Sequence, residues 1–163
     1  MKVVDNFLPE KYFTNLQQTM LSNEFPWYYL DHKSSKGDGQ FQFVHNFYDN
    51  YILQSPMASI IEPLVKELSP SAIVRIKANL TTKSSEIDEY LLHTDIPHFK
   101  GKTAVFYIND NNGYTVFEDG NKVYSKANRL AIFDSGIRHA GSTCTNAKVR
   151  CVLNLNYYTW EAL

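Results

Sequence analysis

The spacing of apolar positions changes character near residue 70. Before it, two stretches repeat at helical intervals. Over 9–21, Tyr12, Phe13, Leu16, Met20 and Leu21 fall near one face, and Pro9 suits a first helical turn. Over about 55–68, Ile60, Ile61, Leu64, Val65 and Leu68 recur at spacings of three and four until Ser69 and Pro70 stop the pattern, with Pro63 interrupting its early part. After Pro70 the runs become rich in β-branched and aromatic residues and are divided by Gly, Asn, Asp and Ser. They predict strands at 71–80, 89–94, 102–109, 114–119, 122–125, 129–134 and 148–158. Asn112-Gly113 and Asp119-Gly120 read as hairpin connections, since these residues tolerate positive φ. The expectation is a mainly β protein with flanking helices (α+β): a jelly-roll, double-stranded β-helix barrel with N-terminal helices packed on one sheet. One domain is expected over 1–163, with a helical and mixed part at 1–70 and the jelly-roll core at 71–160. The polar, glycine-containing stretch 31–40 reads as a loop and a candidate lid.

Composition narrows the class of protein. Hydrophobic residues make up 44% and charged residues 20%, enough to offset ordering entropy by burial. Sixteen basic and 17 acidic side chains leave a net charge of −1, so bulk charge indicates neither nucleic acid nor membrane as partner. Cys144 and Cys151 read as free thiols, and the charged N-terminus lacks the apolar run of a signal peptide. These features predict a cytoplasmic protein.

Candidate chemistry concentrates at His93 and Asp95. One residue apart on an extended strand, their side chains share a face and can serve one metal. His139, beyond the apolar run 129–134, supplies a third donor. Two histidines and a carboxylate make the facial triad of non-haem iron(II), with coordination positions left open; zinc accepts the same donors. Further along, Arg150, Val152, Asn154 and Asn156 share one strand face by the period of two. An arginine buried there needs an anion, and a guanidinium grips a carboxylate with two parallel hydrogen bonds.

These residues resemble the 2-oxoglutarate and iron(II) dependent dioxygenases, in particular their prolyl 4-hydroxylase-like branch. The likeness covers roughly 73–158. It rests on His93-x-Asp95, the distal His139, Arg150 eleven residues later, and Tyr107 in the run 106–109. The resemblance implies that His93, Asp95 and His139 bind Fe(II), that Arg150 and Tyr107 hold the far carboxylate of 2-oxoglutarate, and that O2 is consumed, with ascorbate supporting activity. Oxidative decarboxylation to succinate and CO2 is then coupled to hydroxylation of a substrate, a prolyl or other peptidyl residue being the leading expectation. Residues 113–117 resemble the Gly-Gly-Thr strand of the family, with Tyr114 in place of a glycine. Asp95, where a small residue would admit halide, favours hydroxylation.

Plainer readings stand beside these. His98 follows Ile96-Pro97 and is expected to turn away from the site. His45, in the alternation Phe41, Phe43, His45, Phe47, reads as a core or pocket-lining histidine. Arg75, Lys77 and Asn79 share a face that is either solvated or barrel-interior; if interior, Asn79 or Lys77 joins Asn154 among candidate cosubstrate ligands. A cupin-type metal enzyme that ignores 2-oxoglutarate and a non-enzymatic jelly-roll binding module are the rival assignments. Oligomeric state and primary substrate are not legible.

Overall fold

Helix α1 (Glu10–Met20) forms where the helical spacing predicts, and it turns Phe13, Leu16 and Met20 inward while Tyr12 stays half exposed. The computed structural model in which it is seen describes residues 1–33 and 37–160, so the centre of the predicted 31–40 loop lies outside the described residues. The second helical stretch is divided. A 3₁₀ helix (Pro56–Ile61) begins under Ser55, whose hydroxyl accepts from the Met57 N–H at 3.0 Å, and α2 (Glu62–Leu68) follows. Pro63 explains the break. Without an N–H it cannot continue an α-ladder but fits a first turn. Ser69, in the left-handed region at φ 50°, and Pro70 then end α2.

The strands are β1 (Lys2–Val4), β2 (Tyr28–Leu30), β3 (Gln42–Asp49), β4 (Ile52–Leu53), β5 (Ala72–Thr82), β6 (Lys102–Tyr107), β7 (Tyr114–Phe117), β8 (Lys122–Tyr124), β9 (Arg129–Asp134), β10 (His139–Gly141) and β11 (Val149–Tyr158). All pairings are antiparallel. The larger sheet runs β1-β9-β6-β11-β5-β3-β2, with β4 beside β3, and the smaller runs β10-β7-β8. Together with the helices they form the jelly-roll expected.

Alternation along β6 explains the layering. Ala104 and Phe106 face the helices, where Phe106 meets Phe13 edge-on at 6.1 Å within a core shared with Leu16, Met20, Leu64 and Leu153. Val105 and Tyr107 face the other way and pack with Phe133 and Val152 against Phe117 and Val123 of the smaller sheet. Both faces are covered, so the strand reads as a nearly continuous apolar run. A cavity opens between the two sheets.

Three local expectations differ from the structure. Residues 89–94 are not a strand; their ladder pairing is limited to two isolated bridges, Glu89 with Ser142 and His93 with His139. Asn112-Gly113 does not close a hairpin. It carries the chain from β6, which pairs with β9 and β11, to β7 in the other sheet. Asp119-Gly120 does turn β7 into β8, with Gly120 at φ 82°. Finally β1, β2, β3, β4 and β10 are strands outside the predicted set.

The N-terminal strand is fastened by Asp5, whose carboxylate takes hydrogen bonds from Arg129 Nε at 2.6 Å and Lys126 Nζ at 2.8 Å. Those bonds hold its pKa far below the usual carboxylate range. A depressed folded pKa means stability that is present above the unfolded value and lost as pH falls through the folded one. Asp5→Asn is therefore expected to cost no more than about 1 kcal/mol in urea unfolding at neutral pH, the pair being solvent-accessible, and the cost should shrink steadily below pH ~4.

Candidate metal centre

His93, Asp95 and His139 bring one ligand atom each to within 4.8 Å of one another. His93 Nε2 lies 3.8 Å and His139 Nε2 3.7 Å from Asp95 Oδ1. Their convergence comes from reciprocal backbone bonds, His93 N–H to His139 carbonyl and His139 N–H to His93 carbonyl, each 3.0 Å. Asp95 follows in a bend rather than on a strand. The two histidines are thus joined by a bridge between segments, and Asp95 meets them from a bend rather than by the strand alternation that the sequence suggests.

Both imidazoles have the same local arrangement. Nδ1 of His93 donates to the Leu91 carbonyl at 2.9 Å and Nδ1 of His139 to the Ile137 carbonyl at 3.1 Å. A carbonyl can only accept, so Nδ1 carries the proton and the Nε2 lone pair faces the cluster. Backbone support of this kind orients a metal-binding histidine. His139 is also wedged against Phe133, ring centroids 4.7 Å apart, and is buried; His93 stands half exposed at the mouth. Burial pushes the His139 pKa down, only partly countered by Asp95, and so favours the neutral ligating form.

Asp95 is nearly sealed from solvent, its side chain 5% exposed. Burial pushes its pKa up, but Arg75, His139 and the Asn156 amide outweigh that and hold it below the ordinary carboxylate value. Asn156 Nδ2 donates to Oδ2 at 2.9 Å, and an Arg75 nitrogen lies 3.4 Å from Oδ1. The carboxylate is ionised and fixed.

From this cluster a cavity of about 270 Å³ runs between the sheets to Arg150. Arg150 is buried at 4% exposure, and its Nε donates to Ser125 Oγ at 3.0 Å and one terminal nitrogen to Thr115 Oγ1 at 3.3 Å. No carboxylate of the described residues forms an ion pair with it. Burial pulls its pKa down, as expected of a cation whose solvation is not replaced by an acid. Asn79 and Asn154 line the cavity, and Asn154 Oδ1 is buried without a hydrogen-bond partner. Arg75 and Lys77 line it too, which settles their shared face as interior.

Tyr107 is placed differently from the expectation. It is fully buried behind Arg150, whose guanidinium sits 5.8 Å from the ring centroid, and does not line the cavity. Its hydroxyl lies 2.8 Å from Thr115 Oγ1 and 3.3 Å from the Val123 carbonyl oxygen. Thr115 Oγ1 accepts from Arg150 and lines the cavity, with the Tyr107 hydroxyl packed behind it. The opposite wall carries Tyr90, whose hydroxyl burial raises to about 12 and which accepts from Lys33 Nζ at 2.7 Å. Thr115, Tyr90 and Lys33 are absent from the sequence-based set. Thr115 lies in the Gly-Tyr-Thr run that was legible, but nothing local marks the other two.

The remaining histidines stand apart. His45 is a core residue, Nδ1 donating to the Pro26 carbonyl at 2.9 Å and Nε2 2.7 Å from Ser55 Oγ. His98 is exposed in a turn at φ 61°. Both cysteines are buried and free.

Gly113 lies tightly against Arg150. A β-carbon there would lie 2.6 Å from the Thr143 carbonyl oxygen and 2.7 Å from Arg150 Cδ. Gly113→Ala is expected to destabilise by about 1–3 kcal/mol, the usual range for overpacking, measurable as a lowered urea midpoint, and to displace Arg150.

No protein-family model matches this sequence, and no curated protein matches it. Solved structures do. A Trichoplax adhaerens prolyl hydroxylase in complex with a hypoxia inducible factor oxygen degradation domain peptide fragment is 13% identical, with 96% of this chain and 82% of that one covered at a TM-score of 0.68. A 2OG-Fe(II) oxygenase family oxidoreductase from Burkholderia pseudomallei is 16% identical over 93% and 82%, TM-score 0.64. A Pseudomonas putida prolyl-4-hydroxylase is 13% identical over 96% and 91%, TM-score 0.61. At such identities the likeness is one of architecture, and this chain has the fold of the prolyl hydroxylases and the 2OG-Fe(II) oxygenases.

Proposed function

We propose that the chain is an iron(II) and 2-oxoglutarate dependent dioxygenase that hydroxylates a primary substrate. One observation carries the reading: a buried guanidinium without an acidic partner among the described residues shares a cavity with two histidines and a carboxylate. The donor set suits Fe(II), because two neutral imidazoles and one carboxylate on a single side leave room for further ligands. The cosubstrate fits as well. A dicarboxylate reaching from the metal would end at Arg150, passing the Asn79 and Asn154 side chains that line the cavity.

Iron and the keto acid, when bound, supply oxidative decarboxylation of 2-oxoglutarate to succinate and CO2 together with the oxidising power for hydroxylation. The residues of the chain bind, orient and exclude water. His93, Asp95 and His139 hold the metal, with Asn156 and Arg75 fixing the carboxylate. Arg150 and the Thr115 hydroxyl grip the distal carboxylate, and Tyr107 is a positioning residue that orients Thr115 from behind. Asn79 and Asn154 flank the path. Phe117, Phe133 and Val105 keep the inner wall dry, which strengthens each polar contact. A prolyl or other peptidyl side chain is the first substrate to try, since two of the three solved structures described are prolyl hydroxylases.

The test is succinate formation from 2-oxoglutarate with Fe(II), O2 and ascorbate. Omission of Fe(II), and separately His93→Ala, is expected to reduce the signal to background. A cupin-type enzyme would bind iron yet leave the keto acid untouched, and a binding module would do neither.

A further inference from the structure

Four cationic side chains line the cavity against one acid, Asp95. Three of the four are occupied. Arg75 holds Asp95 and bonds Asn156 Oδ1 at 3.0 Å, Arg150 bonds Ser125 and Thr115, and Lys33 bonds Tyr90. Lys77 has no ion pair or hydrogen bond among the described residues. Asp95 and Asp49 act on it only from beyond ion-pair distance. It is half-buried, and even partial removal of an ammonium from water is costly unless an anion compensates. A methionine of similar length would pack there at less cost.

The charge balance extends the point. A divalent metal and a dicarboxylate cosubstrate cancel each other, so loading the site leaves the cationic excess of the cavity unchanged. Position separates Lys77 from the cosubstrate's distal end. On β5 it stands opposite Asn154 of β11 on one side and Asn46 of β3 on the other. Arg150 is in register with Thr81, four residues further along β5, or about 13 Å at ~3.3 Å per residue. Arg75, the partner of Asp95, is only two residues away in the other direction. Lys77 is therefore on the metal side of the cavity and one strand out from the Arg150 strand.

We propose that Lys77 anchors a carboxylate on the primary substrate, so that this enzyme oxidises a molecule or peptide that carries an acidic group near the oxidised position. The proposal rests on the oxygenase reading. It makes Lys77 a specificity-determining residue, separate from the groups that hold iron and keto acid.

The experiment uses Mn(II) as a stable stand-in for iron and N-oxalylglycine as a keto-acid isostere that does not decarboxylate. Acetate is titrated into the ternary complex, with acetamide as the uncharged control, and methyl proton relaxation near Mn(II) is read by NMR. Acetate should show a saturable enhancement and acetamide none. Lys77→Met should weaken acetate binding about tenfold, the scale of one lost charge-assisted hydrogen bond, and Lys77→Arg should retain it. N-oxalylglycine affinity should change less than about twofold in both variants, which also shows that they fold.

Absence of an acetate effect, or an effect untouched by Lys77→Met, overturns the assignment. A loss of N-oxalylglycine affinity in Lys77→Met comparable to that in Arg150→Met overturns it differently, by making Lys77 a cosubstrate ligand. Should wild-type protein not bind N-oxalylglycine at all, the oxygenase reading fails. Acetate titrated against the Mn(II) protein alone then judges Lys77 separately.

Discussion

Arg150→Met is expected to lower 2-oxoglutarate affinity about 100-fold while leaving metal affinity within about twofold. Two charge-assisted hydrogen bonds at ~1.5 kcal/mol each amount to about 3 kcal/mol, or roughly two decades in Kd. The stability of the ligand-free protein should move the other way. Arg150 is buried, and no described residue offers it a carboxylate, so its desolvation is uncompensated until an anion arrives. Replacing it by a neutral side chain of similar length should raise unfolding free energy by on the order of 1 kcal/mol, as happens when buried charges give way to apolar groups. Stability from urea unfolding and affinity from calorimetry thus shift in opposite senses. A structural arginine would behave otherwise: its loss would destabilise by several kcal/mol and leave ligand affinity alone.

His139→Ala should have the larger effect on the metal. Structural zinc sites bind with about 10–16 kcal/mol across four ligands, or roughly 3 kcal/mol each, which predicts at least about a 100-fold loss of Fe(II) or Mn(II) affinity. His139 is the ligand most firmly seated, wedged against Phe133 and tied to Ile137. Alanine there also removes ring packing, at a further cost of about 2–4 kcal/mol in metal-free stability. His93→Ala separates the two contributions. His93 is half exposed and lacks that packing, so its replacement should give a comparable loss of metal with little loss of stability.

The second half of the fold was legible because strands buried on one or both faces write their period into the sequence. Strand 129–134 matches its prediction residue for residue, and β11 is shifted by one residue at its start. What remained hidden depends on partners distant in sequence. β1 and β2 are three-residue edge strands whose existence rests on pairing with β9 and β3. The Asn112-Gly113 turn has hairpin chemistry, yet β6 finds better neighbours on both its edges. Whether Lys77 faced water or the cavity was undecidable from β5 alone. The period of two says that Arg75, Lys77 and Asn79 agree, not which way they point.

At the site, residue types were readable and relations were not. His93, Asp95 and His139 could be picked out as a set of two imidazoles and a carboxylate that suits one metal, and Arg150 because a guanidinium is costly to bury without an anion. That Tyr107 would spend its hydroxyl on Thr115, or that Lys33 would reach Tyr90, depends on side chains brought together across 8 and 57 residues of sequence.

The most direct test is anaerobic calorimetric titration of 2-oxoglutarate into the protein with and without Fe(II). The geometry predicts one binding site per chain, tight only when the metal is present and weakened about 100-fold by Arg150→Met. Equal affinity without iron, or affinity indifferent to Arg150, would contradict a metal held by His93, Asp95 and His139 that shares its cosubstrate with this arginine.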